Sequence, residues 1–311
     1  MTQEHSIPGP DNITRVQLDN GITVLAYENP HVQSVAISGI LSGGSIYESP
    51  HQSGLASLTA GALMLGTESR DFDALHEELE GMGADLGLRA GRHAVSFSGK
   101  ALAEDLSHLM GVFNDVLRHP VFPEDQVERM RGQHLTSLNY NQQDSGYRAG
   151  RAFAEALYPA DHAYHHPTQG RILTVTDIRI DDMRAFHQRC YGPTGMIIAV
   201  VGNVRPEAAV ATVQEYLGDW ANPNQPDPVT LTSLSQPASV HRINTTLPGK
   251  SQSDVVMGTL GPSRLADDYM AATIANSILG EFGMMGRLGD VIRKKGGMAY
   301  YAYSRIAGGA G

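Results

Sequence analysis

A chain of 311 residues with 41% hydrophobic and 18% charged positions has room for two ordinary domains, and its composition is neither that of a disordered segment nor that of a membrane protein. The 23 Lys+Arg against 33 Asp+Glu give a formal net charge of −10, which argues against nucleic acid as a partner and suits simple solubility. A single cysteine, Cys190, excludes an intrachain disulfide and a zinc site built mainly from thiolates; a lone cysteine of this kind is most simply a small buried hydrophobe.

In chain order, the first twelve residues show no basic segment followed by an apolar run, so no secretory signal is visible and the cytoplasm is the expected compartment. Residues 15–27 alternate apolar and polar around Asn20-Gly21, a strong hairpin signal. A third strand over 34–45 ends in a glycine-rich turn that lacks the lysine of a phosphate loop, and the GKS at 249–251 has Asn244 where such a loop needs its first glycine. Helical periods follow over 53–65, 72–82, 103–118, 123–142 and 145–157, with strands expected at 84–90 and 92–99. A further helix is entered from Thr174, residues 196–204 read as a buried strand, and Pro206 suits the first turn of the next helix. No window approaches the 18 or so uninterrupted apolar residues that a membrane span requires.

Residues 221–237 contain Pro223, Pro226, Pro228 and Pro237 with few apolar residues between them, which marks a linker between a first domain, 1–220, and a second part, 238–311. The second part repeats the pattern of the first. LHEELEGMG at 75–83 and LGDVIRKKG at 288–296 lie 213 positions apart, each an apolar helical period ending in glycine. At that offset the helix at 53–66 falls on another at 267–279, and residue 311 falls on position 98, so the second copy is expected to be incomplete by roughly a hundred residues.

LDNGITVL (18–25), GSIYESPHQSGLA (44–56), LGT (65–67), YPADHAYHHPTQG (158–170), YGPTGMIIAVVGNV (191–204) and LGEFGMMGRLGDVIRKKGGMAY (279–300), in this order and spacing, resemble the pitrilysin/insulinase family of zinc peptidases, in particular its bacterial processing-peptidase-like members. The resemblance implies an α+β fold used twice: mixed or antiparallel sheets with helices packed on one face. It also implies H-x-x-E-H on the helix that opens at Gly54, where two imidazoles one turn apart bind zinc, the glutamate activates water, and a distal glutamate completes the shell. The aligned window here is Ser57-Leu58-Thr59-Ala60-Gly61, and residues 130–143, where the distal ligand should fall, contain no carboxylate. Ser57, Ala60 and Gly61 are therefore degenerate zinc-motif positions, and no metal is expected on this chain. His162, His165 and His166 cluster between Pro159 and Pro167, so a loop is expected there rather than a helix face that could gather ligands; His51, His76, His93 and His134 are isolated.

The family pairs its zinc-bearing domain with a second that offers an arginine and a tyrosine to the scissile carbonyl. Arg293 and Tyr300, seven apart, resemble that pair, and positive, preorganised donors are what a developing oxyanion needs. Read without the family, Arg293, Lys294 and Lys295 at a helix C-terminus complement its dipole, and Tyr300 is a plain strand residue. Two functions from different classes follow. One is a non-catalytic, substrate-binding subunit that supplies Arg293 and Tyr300 to a zinc-bearing homologous partner acting on a peptide. The other is a non-enzymatic scaffold or peptide-binding protein of the same fold, with a homodimer among its possible states. A stand-alone peptidase would need a ligand set that the sequence does not display.

Overall fold

The computed structural model describes residues 8–307. Its centre is a six-stranded sheet: β1 (Thr14–Gln17), β2 (Thr23–Glu28), β3 (Ser34–Leu41), β4 (Asp85–Ala90), β5 (Val95–Leu102) and β6 (Ile197–Gly202). The spatial order is β1-β2-β6-β3-β5-β4. All neighbours are antiparallel except β2 and β6, which run parallel with Thr23 opposite Ile197. The hairpin expected at Asn20-Gly21 forms, with Gly21 at φ 93°. Period-two alternation sets the faces: Val24, Ala26, Val35, Ile37, Val95, Phe97, Ile198 and Val200 are buried on one side, whereas Ser38, Ser96, Ser98, Lys100 and Val201 face outward.

Helices cover the buried face. They are α1 (Leu55–Ala62), α2 (Phe72–Gly81), α3 (Leu106–Arg118), α4 (Glu124–Gln142), α5 (Ser145–Leu157), α6 (Ile172–Asp177), α7 (Ile180–Cys190) and α8 (Pro206–Leu217). Pro206 takes the first helical position of α8, where its missing N–H costs nothing. The helix expected from Thr174 is two helices, α6 and α7, parted at Ile178 and Arg179, which adopt extended backbone. α1 packs on α7 and β4, α3 on α8 and β5, and α8 on β2. Cys190 is buried, and burial pushes its thiol up, so it behaves as the expected small hydrophobe.

Two polar devices lock this layer. Asn20 at the hairpin tip donates its amide to the carbonyls of Leu217 (2.7 Å) and Trp220 (3.2 Å), which ties the first two strands to the end of α8. Behind α1, Asp115 accepts from Thr67 Oγ1 (2.5 Å), Ser69 Oγ (2.6 Å) and Arg70 (2.7 Å), while Arg70 also makes a two-pronged contact with Glu78. Arg70 holds the Glu78 carboxyl below its usual range, and against the opposing effect of burial the Ser69 and Thr67 hydroxyls, followed by Arg70, do the same for Asp115.

Beyond α8 the chain changes character. Asn222 donates to the carbonyls of Gln188 and Tyr191, and the Gln225 amide pairs with both backbone groups of Thr194, so the start of the linker is pinned to the sheet domain. From 226 to 268 no helix or strand forms among the described residues. Then come α9 (Tyr269–Asn276), which continues into a wide turn to Glu281, and a wide helical turn over Gly289–Lys295. Shifting α1 by 213 positions gives 268–275, within a residue of α9, so the helical half of the repeat is present. The strand expected after 296 is absent among the described residues. β4, its counterpart at this offset, is held along its whole length by pairing with β5.

The Asp115–Arg70–Glu78 network gives the first prediction. Arg70→Ala strands a buried carboxylate that then keeps only two hydroxyl partners, so the urea unfolding free energy should fall by about 2 kcal/mol, between the values for exposed and buried pairs.

Candidate functional site

The helix of interest is α1, and its placement begins one turn upstream. Gly54, its N-cap residue, has φ 103° and offers no side chain to the free amides that open a helix. Glu48 supplies what is missing: its carboxylate oxygens accept from the amides of Gly54 (3.1 Å) and Ala56 (2.5 Å). Gly54 also meets Gly170 so closely that a Cβ on either would stand 2.9 Å from the other's Cα, and Ser53 bonds to the same loop through Pro167 O and Thr174 Oγ1. Burial pushes the Glu48 carboxyl up to about 8, against the pull of both amides and of Arg92.

Along α1, Ser57 and Gly61 lie one turn apart on a half-exposed face, while Ala60 and Thr59 are fully buried. None of Ser57, Ala60 and Gly61 carries an imidazole, thiolate or carboxylate. α4 lies opposite and presents Met130, whose sulfur sits 3.1 Å from where a Gly61 Cβ would be. Along the same helix, Arg131 donates to Val175 O (2.5 Å) and His134 bonds to Gln169 O (2.7 Å). The residues present therefore do not fit the family's zinc: the positions that should ligate are bare or apolar, and a thioether fills the space beside the second one. Among the described residues, no group of three or more His, Cys, Asp or Glu is placed to hold a metal ion.

The histidine cluster lies in a loop, as the flanking prolines imply, around a short turn at Ala163–His165. His162 Nδ1 accepts from the Tyr164 amide, His165 Nδ1 bonds to Tyr158 O, and His166 Nε2 to Ala160 O. Each ring thus commits one nitrogen to a separate backbone group, which keeps the three from converging on one ion. Arg92 braces the loop, donating to Ala163 O and His166 O while lying 4.9 Å from the centre of the Tyr164 ring. His93 reaches the Tyr164 hydroxyl at 2.6 Å.

Arg293 and Tyr300 do come together. Arg293 sits in the turn at Gly289–Lys295, and its guanidinium carbon lies 4.5 Å over the Tyr300 ring. Tyr300 is 80% exposed, and it stands in an aromatic run with Tyr301 and Tyr303. Lys295, which shares the turn, pairs with Asp290 at 2.7 Å. A guanidinium over an aromatic face is a cation–π contact, which holds the two side chains of the pair beside one another. Sequence reasoning gave no role to Glu48 or Met130. A carboxylate just upstream of an uncapped apolar helix is a readable signal for the first; nothing local signals the second, because its role depends on the α1–α4 contact.

Two predictions follow from the packing of α1. Gly61→Ala adds a methyl that the flexible Met130 can yield to, and it removes a mid-helix glycine, so thermal stability should rise by about 0.5 kcal/mol; Gly61→His must displace Met130 and should cost roughly 1–3 kcal/mol. For Glu48, the folded chain holds its proton to about pH 8 whereas the unfolded chain releases it near the ordinary value of 4.5. Its contribution to stability is thus complete below pH 4.5 and lost as the pH rises to 8, by on the order of a few kcal/mol. Unfolding midpoints measured across that window should decline in the wild type, with a flatter slope in Glu48→Gln.

Comparison with known proteins agrees with this geometry. The family description "Insulinase (Peptidase family M16)" matches residues 23–163, and "Peptidase M16 inactive domain" matches 177–311. An uncharacterized zinc protease of Streptomyces coelicolor is 25% identical over 98% of this chain and 66% of its own length, and one of Bacillus subtilis is 22% identical over 94% and 69%. The chain thus spans about two thirds of the length of these relatives. The crystal structure of a peptidase M16 inactive domain from Pseudomonas fluorescens superposes with a TM-score of 0.82 at 26% identity, covering 96% of this chain and 71% of that one. A Helicobacter pylori protease shares the fold, with a TM-score of 0.78 at 18% identity over 94% and 71% of the two chains. On these matches, and on a sheet domain whose α1 lacks every expected zinc ligand, the chain belongs to the pitrilysin/insulinase family, peptidase family M16.

Proposed function

We propose that this protein is the non-catalytic, substrate-binding subunit of a heteromeric insulinase-family peptidase. A zinc-bearing homologous partner supplies the metal and the water-activating glutamate; this chain supplies Arg293 and Tyr300 to the carbonyl of a bound peptide. One observation carries the reading. The donors required for zinc are missing from α1, while Arg293, half-buried, lies against an exposed Tyr300. A guanidinium and a phenol are both donors, and donors aimed at an oxygen that gains negative charge lower a barrier without any metal of their own.

A second exposed surface supports association. α9 and its continuation expose Met270, Ile274, Ile278 and Phe282, a row at helical spacing that a solitary soluble protein would normally turn inward. The same row is the specific ground for the second reading, a scaffold of the same fold that binds partners without contributing to chemistry. No helix among the described residues is long and apolar enough to cross a membrane. Neither reading calls for such a span, and the first takes the cytoplasm as its compartment.

The two readings separate on mixing. Combined with a zinc-bearing homologue, the chain should form a complex that cleaves peptides only when zinc is present. Arg293→Ala should then lower kcat by about 100-fold, the loss typical of one oxyanion donor. A complex that forms and cleaves equally well with Arg293→Ala refutes the assigned role, and a stable complex that binds no peptide supports the scaffold.

A further inference from the structure

A second site lies at the head of α1, remote in sequence from Arg293 and Tyr300. A cavity of about 300 Å³ is closed by three separate stretches: the turns before α1, the histidine loop after α5, and the linker at 229–234. We propose that this cavity binds one uncharged apolar residue of a peptide through its backbone carbonyl, and that it is a docking subsite independent of the Arg293–Tyr300 pair.

The chemistry of the walls points to that ligand. His162 is only 9% exposed and lines the cavity. Its Nδ1 accepts from the Tyr164 amide, which fixes the neutral tautomer and leaves Nε2–H as a donor. Burial, with Arg92 nearby, holds this ring below the ordinary imidazole range, so it stays uncharged at neutral pH. Ser45 also lines the cavity, and its hydroxyl is buried without a hydrogen-bond partner. Buried polar groups of this kind are normally satisfied, so an orphan beside a cavity marks a place for an acceptor. Ser53 donates to Pro167 O, and Glu48, whose oxygens hold the amides of α1, keeps its proton to about pH 8 and so adds a second neutral O–H donor to the wall.

Apolar side chains supply much of the remaining wall: Ile46, Val229, Leu231 and Leu234 line the cavity, and the hydroxyl-bearing Thr230 and Thr232 alternate with them along the exposed linker. No charged group with a free valence faces inward; Asp161 stands at the exposed rim. A zwitterion would have to shed its hydration without compensation, whereas a capped residue would not.

The test titrates the full chain with N-acetyl-leucinamide, followed by NMR or calorimetry, with free leucine as the charged comparison. A ligand of this size should bind with a dissociation constant of about 1 mM. Ser45→Ala and His162→Gln should each weaken binding about 5-fold or more, and Arg293→Ala should leave it unchanged. Should His162→Gln fail to fold, Ser45→Ala still decides the matter, because it removes only a hydroxyl. The proposal is overturned by no saturation up to about 20 mM, by free leucine binding as well as the capped residue, or by Ser45→Ala binding like the wild type. Loss of binding in Arg293→Ala would also overturn it, since the two sites would then be one.

Discussion

The strand that holds this protein together is β6, which arrives last and sits in the middle. It runs parallel to β2 and antiparallel to β3, so nothing on either side of the sheet is complete until residues 197–202 have threaded between strands formed some 160 residues earlier. Ile198 and Val200 are wholly buried there, and Ile37 lies opposite Val200. A pairing this distant in sequence raises the contact order of the sheet and makes its completion a slow step of folding. The α1 helix inherits its rigidity from this sheet domain, through β4 and α7 beneath it and through Glu48 and the Gly54–Gly170 contact at its head.

The same constraint explains why the sequence foretold the two halves unequally. Periodicity located α1 to α5, the hairpin and β6, because each has a local signal that tertiary packing later reinforced. It missed the break at Ile178–Arg179, where the helical pattern runs on but the backbone extends. In the second half the helical signal was sound, and α9 falls on its expected place. Strands differ in kind: a helix satisfies its own amides, whereas a strand needs a neighbour, as β4 has in β5.

The candidate site was legible as a set of missing residue types and illegible as a set of contacts. Ser57, Ala60 and Gly61 showed on the page that zinc has no ligands on α1. That Met130 leans into the gap beside Gly61 depends on how α4 crosses α1, which no local pattern encodes. Glu48 lies between these extremes. Its position upstream of an uncapped helix is visible in the sequence, but its two amide bonds and its elevated proton affinity come from burial alone.

The row of Met270, Ile274 and Ile278 on α9 sets a demand that the sheet domain does not meet. Its side chains are of the kind that other residues normally cover, and the chain spans only about two thirds of the length of its relatives, so the same helix in a longer polypeptide would have a ready source of that cover.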